Sequence, residues 1–108
     1  SVRVVAMPTL KPLDADAVLD AARDTRRIVT VEDHNVIGGL GSAVADVIAQ
    51  AGIACELRKL GHPDRWLGMG VPEDLMHAAG FDEDGIVTAL AELARVEVDR
   101  DEDWSDEP

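Results

Sequence analysis

Aromatic residues are nearly missing from this chain, which has one Phe, two Trp and no Tyr in 108 residues. Its core must be assembled from Val, Ile, Leu and Ala, the side chains that fill a sheet covered by Ala-rich helices. Cysteine is as scarce. Cys55 stands alone, so no internal disulfide can form, and a reducing compartment, the cytoplasm, is the expectation. No run approaches the ~18 apolar residues a spanning helix needs, and no secretory signal is visible, so no membrane partner is expected. Positive charge is short too: 10 Lys and Arg face 22 Asp and Glu, for a net charge of −12. Such a field repels phosphate backbones and argues against nucleic acid as a partner.

The length allows one domain, read here as residues 1–96. Residues 97–108 hold seven acids and one Arg, a composition expected to be disordered. The opening run Val2-Arg-Val-Val-Ala-Met7 reads as a buried strand, and a chain that begins inside such a run is expected to be a fragment. Asp14 is placed to cap a helix whose apolar face is Ala15, Val18, Leu19 and Ala22. Ile28 to Val31 is β-branched and continuous, as parallel strands are. Val44, Val47, Ile48 and Ala51 follow helical spacing to a stop at Gly52. Ile53 to Leu60 reads as a third strand, with Cys55 inside it as an inert core residue, and Gly61 to Gly70 as a loop. Pro72 starts a short helix that ends at Gly80. Asp82 caps a last helix with Ile86, Leu90, Leu93 and Ala94 on its core face. Strands alternating with helices predict a mostly parallel sheet in a three-layer α/β/α sandwich.

Chemistry concentrates in Val29-Thr-Val-Glu-Asp-His-Asn-Val-Ile-Gly-Gly-Leu-Gly-Ser-Ala-Val44. Here a strand runs into two acids and a histidine, then into glycines that open a helix, the place where open α/β sheets keep their crevices. Gly38, Gly39, Gly41 and Ser42 make a candidate loop for an anion or regulatory ligand, because bare amides at a helix N-terminus favour negative charge. The dinucleotide fingerprint is incomplete: counted from Gly39, its third small position is Val44, and Glu32 to Ile37 separate the strand from the glycines. The alternative is structural, glycines that permit a tight turn and close packing. Glu32, Asp33 and His34 form a second candidate, either acid–base chemistry near neutral pH or a cluster that fixes a loop or an interface. His34, His62 and His77 show no metal-ligand spacing. Arg58, Lys59 and Arg65 read as a solvated or salt-bridged edge, the alternative being contact with a phosphate or an acidic partner, and Trp66-Leu67 with Met69 as an apolar loop that is either a contact surface or a satellite of the core.

Four blocks, Lys11-Pro-Leu-Asp14, Ile28 to Val44, Leu60-Gly-His-Pro-Asp-Arg65 and Gly70-Val-Pro-Glu-Asp-Leu75 with Ala79-Gly-Phe-Asp-Glu-Asp-Gly-Ile86, together resemble the C-terminal domain of transketolase-type, thiamine-diphosphate enzymes. The Glu32-Asp-His-Asn35 stretch is most similar to the small subunit of split transketolases, with similar blocks in deoxyxylulose-phosphate synthases and the β subunits of 2-oxo-acid dehydrogenases. The resemblance implies an enzyme that moves a two-carbon ketol unit between sugar phosphates as a homodimer. Thiamine diphosphate and Mg²⁺ would be held by separate cofactor- and pyrimidine-binding domains or subunits, with no cofactor, metal or catalytic residue on this chain. Its own part would be assembly, dimerisation or regulation. The resemblance also implies a strand and a helix ahead of Val2, the strand near the middle of the sheet, so the domain here would lack its first strand and helix. The rival reading is a stand-alone nucleotide- or phosphate-binding module built on the Gly38–Ser42 loop.

Overall fold

Asp14 opens the first helix: its carboxylate accepts the Ala17 amide proton at 3.1 Å and fixes the start of α1 (Ala15–Thr25). In the computed structural model, which describes residues 2–8, 10–65, 70 and 72–95, α1 buries Val18 and Ala22. It ends at Arg26, whose left-handed φ of 60° turns the chain into β1 (Arg27–Asn35). The glycine-rich loop then leads into α2 (Leu40–Ala51), which stops at Gly52 with φ 68°. β2 (Glu56–His62), α3 (Pro72–Ala79) and α4 (Glu83–Ala94) follow. Asp82 caps α4 by accepting the Gly85 amide proton at 2.9 Å.

β1 and β2 run parallel, with Ile28 opposite Leu57 and Thr30 opposite Lys59. Alternation along a strand separates two faces. Ile28 and Leu57 join Val18, Ala22, Val44 and Ile48 in the core beneath α1 and α2. Arg58, one position on, reaches Glu92 of α4 on the opposite face. There Phe81, Ala89 and Leu93 are buried, and α3 packs beside β2. The expected α/β arrangement, a parallel sheet between helices, is what the chain adopts.

The strands differ from expectation in three ways. Val2–Met7 pairs with nothing in the described sheet, which has two strands, and Val4 is 90% exposed. A strand needs a neighbour for its amides, and this segment faces β1 across a cleft of about 670 Å³. The cleft is walled by Ala17, Val18 and Ala21 of α1 and by Ile86, Leu90 and Leu93 of α4. β2 begins at Glu56, which leaves Cys55 half-buried just outside the strand; partial burial holds its thiol pKa above the ordinary value. β1 continues past Val31 to Asn35, and β2 runs on through Gly61 to His62. The expected loop at Trp66–Met69 and the expected disorder of 97–108 lie outside the described residues.

Candidate functional site at the carboxyl edge of the sheet

The register explains the polar cluster. Val31 lies opposite Leu60 and Asn35 opposite His62, so β1 spends four residues where β2 spends two. The surplus is a bulge, a device that re-aims side chains at a strand end. Gly61 makes it possible: a Cβ there would lie 2.7 Å from the His34 carbonyl oxygen and 2.9 Å from that of Glu32. The bulge places Glu32, Asp33 and His34 in three different environments.

Glu32 turns back under the glycine loop. Its side chain is 8% exposed, and its two oxygens accept the amide protons of Leu40 and Gly41 at 2.7 and 2.8 Å. An acid of the strand thus fills the positive end of α2, where partial charge and unpaired N–H groups favour an anion. Asp33 points outward, 87% exposed, and meets His62 Nε2 at 2.6 Å. That imidazole meets the buried Phe81 ring in a T-shaped contact, with centroids 4.9 Å apart. His34 Nδ1 lies 2.7 Å from the Asn35 carbonyl oxygen and 3.7 Å from Glu32 Oε1.

The loop itself is held from every side. Ile37 N–H donates to Asn35 Oδ1 at 2.8 Å, and Gly38 N–H to Ser42 Oγ at 3.0 Å. The Val36 carbonyl receives Ser42 Oγ and Lys59 Nζ, while Val36 N–H donates to the His62 carbonyl. Asn35 Nδ2 donates to Asp64 at 3.2 Å. Each glycine has its own reason. Gly38 adopts φ 81°, open to glycine without strain. Gly39 is extended, yet a Cβ on it would sit 1.8 Å from Glu32 Oε1. A Cβ on Gly41 would strike the Lys59 stem and Thr30 Oγ1. Thr30 Oγ1 is itself buried with no partner among the described residues.

The structure therefore brings Glu32 together with Gly39, Gly41 and Ser42, keeps the exposed His34 ring beside Glu32 and Gly39, and sends Asp33 outward to His62. His62, Gly61, Lys59 and Asn35 belong to the cluster and were not grouped with it from sequence. A loop reading of Gly61 to Gly70 hid His62. The one signal that would have found it is the register of β2 against a bulged β1. No group of three His, Cys, Asp or Glu among the described residues is arranged to hold a metal ion, and no described helix is long and apolar enough to cross a membrane.

The chain as a whole is similar to known proteins. The family profile of the transketolase C-terminal domain matches residues 1–86. Among curated proteins, the 1-deoxy-D-xylulose-5-phosphate synthase of Chromohalobacter salexigens is 43% identical over 97 residues, 90% of this chain and 14% of that protein. The same enzyme of Ralstonia nicotianae is 42% identical over 94 residues, 87% of this chain and 15% of its own length. A solved split-gene transketolase, an inactive β4 tetramer, superposes with a TM-score of 0.74 at 35% identity, covering 85% of this chain and 30% of that one. The chain thus spans about one seventh of the length of these curated relatives. On the profile match and these likenesses, it belongs to the transketolase C-terminal domain family.

Proposed function

We propose that residues 1–96 are the non-catalytic C-terminal domain of a thiamine-diphosphate enzyme of the transketolase and deoxyxylulose-phosphate synthase type, and that they act in assembly. The intact enzyme transfers a two-carbon ketol unit to a sugar phosphate or a related acceptor. Thiamine diphosphate, with Mg²⁺, supplies the carbanion chemistry from the companion domains of a cytoplasmic homodimer. The observation that carries this reading is the apolar cleft along β1, walled by helices on both faces and open at the strand edge. An unpaired edge between two greasy walls calls for one more strand, and a companion piece of the same enzyme would supply it.

The carboxyl-edge cluster supports a structural role in the same domain. Glu32 already holds the first amides of α2, so an incoming phosphate would have to displace a bound carboxylate. That weighs against the stand-alone nucleotide or phosphate module. Three measurements test the reading. The chain alone, given thiamine diphosphate, Mg²⁺ and sugar-phosphate substrates, is expected to show no ketol transfer, and calorimetry with nucleotides and sugar phosphates no micromolar binding. Added to a polypeptide carrying the cofactor and pyrimidine domains, the chain is expected to form a stable complex. Turnover by the chain alone, or tight phosphate binding lost in Gly39→Val, would reverse the conclusion.

A further inference from the structure

The segment Val2–Met7 is held at both ends and bare in the middle. Arg3 pairs with Asp24 of α1 at 3.0 Å, close to where β1 begins at Arg27. Met7 packs against the core cluster of Val18, Ala22, Val44 and Ile48. Between these two pins Val4 is 90% and Val5 48% exposed, and the segment joins no strand among the described residues. Across the cleft β1 is no better served. Its edge away from β2 presents N–H and C=O groups to a space with apolar walls. Unpaired backbone next to apolar surface is costly on both sides of the gap.

Val2–Met7, α1 and β1 follow one another as segment, helix and strand. A crossover of that kind sets its two strands parallel and usually side by side. The gap between them is about one strand wide, since its volume of about 670 Å³ is near that of a short strand between two layers. Closing it moves the segment by about 4.8 Å, one strand spacing. Residues 8–13 separate Met7 from Asp14, the cap of α1, and a connection of that length has slack for such a shift. The segment also has the composition the space requires. Val2, Val4, Val5, Ala6 and Met7 are apolar, and the one charge, Arg3, sits at the end held by Asp24.

We propose that Val2–Met7 is a strap with two positions: the open one described above, and a closed one, dominant in the chain on its own, in which it lies on β1 as a third parallel strand. Closure pairs the two free edges and covers Val4 and Val5 between the α1 and α4 walls. It also gives the chain a competitor for its own docking site, because a companion strand entering the cleft has to hold the strap open. That consequence rests on the assembly reading, whereas the closure itself does not.

Nuclear magnetic resonance on the full chain alone tests the closure. Alternate amides among residues 3–7 are expected to exchange with solvent at least ~10-fold more slowly than in a free peptide of residues 1–12. Nuclear Overhauser cross-peaks should join their backbone protons to those of Ile28 to Val31. In the open position the two backbones are about two strand spacings apart, too far for such cross-peaks. Val4→Asp separates the positions: a side chain 90% exposed tolerates a carboxylate, and one packed between apolar walls does not. The variant should bring residues 3–7 to peptide exchange rates and abolish the cross-peaks, while the helical circular dichroism at 222 nm stays unchanged. Peptide-like exchange of residues 3–7 without cross-peaks in the starting chain would overturn the proposal. So would protection that Val4→Asp leaves intact. Both readouts are made without a companion, so they stand apart from whether a complex forms.

Discussion

Removing the Glu32 carboxylate should cost this domain much of its stability. Glu32→Ala leaves the Leu40 and Gly41 amides, bonded at 2.7 and 2.8 Å, without their acceptor at a half-buried helix start. A bond to a charged group is worth about 1.5–3 kcal/mol, and water reaching a first-turn amide returns part of that. We expect a loss of about 3 kcal/mol, lowering the melting temperature by roughly 10–20 °C for a chain of this size. Glu32→Gln keeps one acceptor but turns an NH₂ toward a donor, so about 2 kcal/mol should be lost. Gly39→Ala reaches the same carboxylate from the other side. A Cβ there sits 1.8 Å from Glu32 Oε1 and 2.8 Å from His34 Nδ1, so it must expel the carboxylate and should cost about 2–3 kcal/mol. In a Glu32→Ala background the carboxylate is gone and only the exposed His34 ring has to shift, so Gly39→Ala should then cost about 1 kcal/mol or less. The coupling energy in the double-mutant cycle is therefore on the order of 2 kcal/mol. Urea unfolding followed at 222 nm measures all four proteins, with slopes expected to be alike. A Glu32→Ala loss below about 0.5 kcal/mol, or strict additivity of the two changes, would refute the argument that the glycine makes room for the acid.

Thr30→Val should be neutral or stabilising by up to about 1 kcal/mol, because the Thr30 hydroxyl is buried without a partner among the described residues and a methyl group needs none; a clear loss in the same urea assay would mean the hydroxyl is bonded. Arg26→Gly should stabilise by about 0.5–1 kcal/mol, since φ 60° at this C-cap suits glycine and the guanidinium contact given up, to the Ala54 carbonyl at 3.2 Å, is exposed; differential scanning calorimetry reads the sign. His77 and Asp82 meet at 2.6 Å. The hydrogen bond to Asp82 raises the His77 pKa above its ordinary 6.5, while the Gly85 amide first and His77 second lower that of Asp82 below 3.8. The His77 contribution is full below pH 6.5 and is lost as pH rises through the raised value. The Asp82 contribution is full above pH 3.8 and is lost as pH falls through the lowered one. Their joint support is therefore greatest between those limits, and NMR titration should find the His77 midpoint above 6.5, returning toward it in Asp82→Asn.

The helices were legible because their signals are local. Asp14, Gly52 and Asp82 stand at the helix boundaries where capping chemistry puts them, and Val44 and Ile48 are buried at the expected spacing. The strands were legible only where apolar. Glu32 to Asn35 is polar and reads as a loop on propensity, yet the bulge keeps it in the sheet, because Gly61 lets two backbones approach and the Val36 amide finds the His62 carbonyl. Val2–Met7 fails in the opposite sense: its composition is that of a strand, and nothing described stands beside it to pair with. The glycines pointed to the right place. Their partner was unreadable, since only the folded register shows that the anion at the start of α2 is a side chain eight residues upstream of Leu40.

The two open edges of this sheet are not alike. The outer edge belongs to β2, which carries Glu56, Arg58 and Lys59, the charges with which proteins guard an edge against pairing. β1 carries Ile28, Val29 and Val31 and has the cleft beside it. A strand of five residues occupies on the order of 800 Å³, from a rise of about 3.3 Å per residue, a strand spacing of about 4.8 Å and a layer depth of about 10 Å. The cleft, at about 670 Å³, is near that size, and its two walls are both apolar, so the strand that suits it is hydrophobic on both faces, as in a buried parallel sheet.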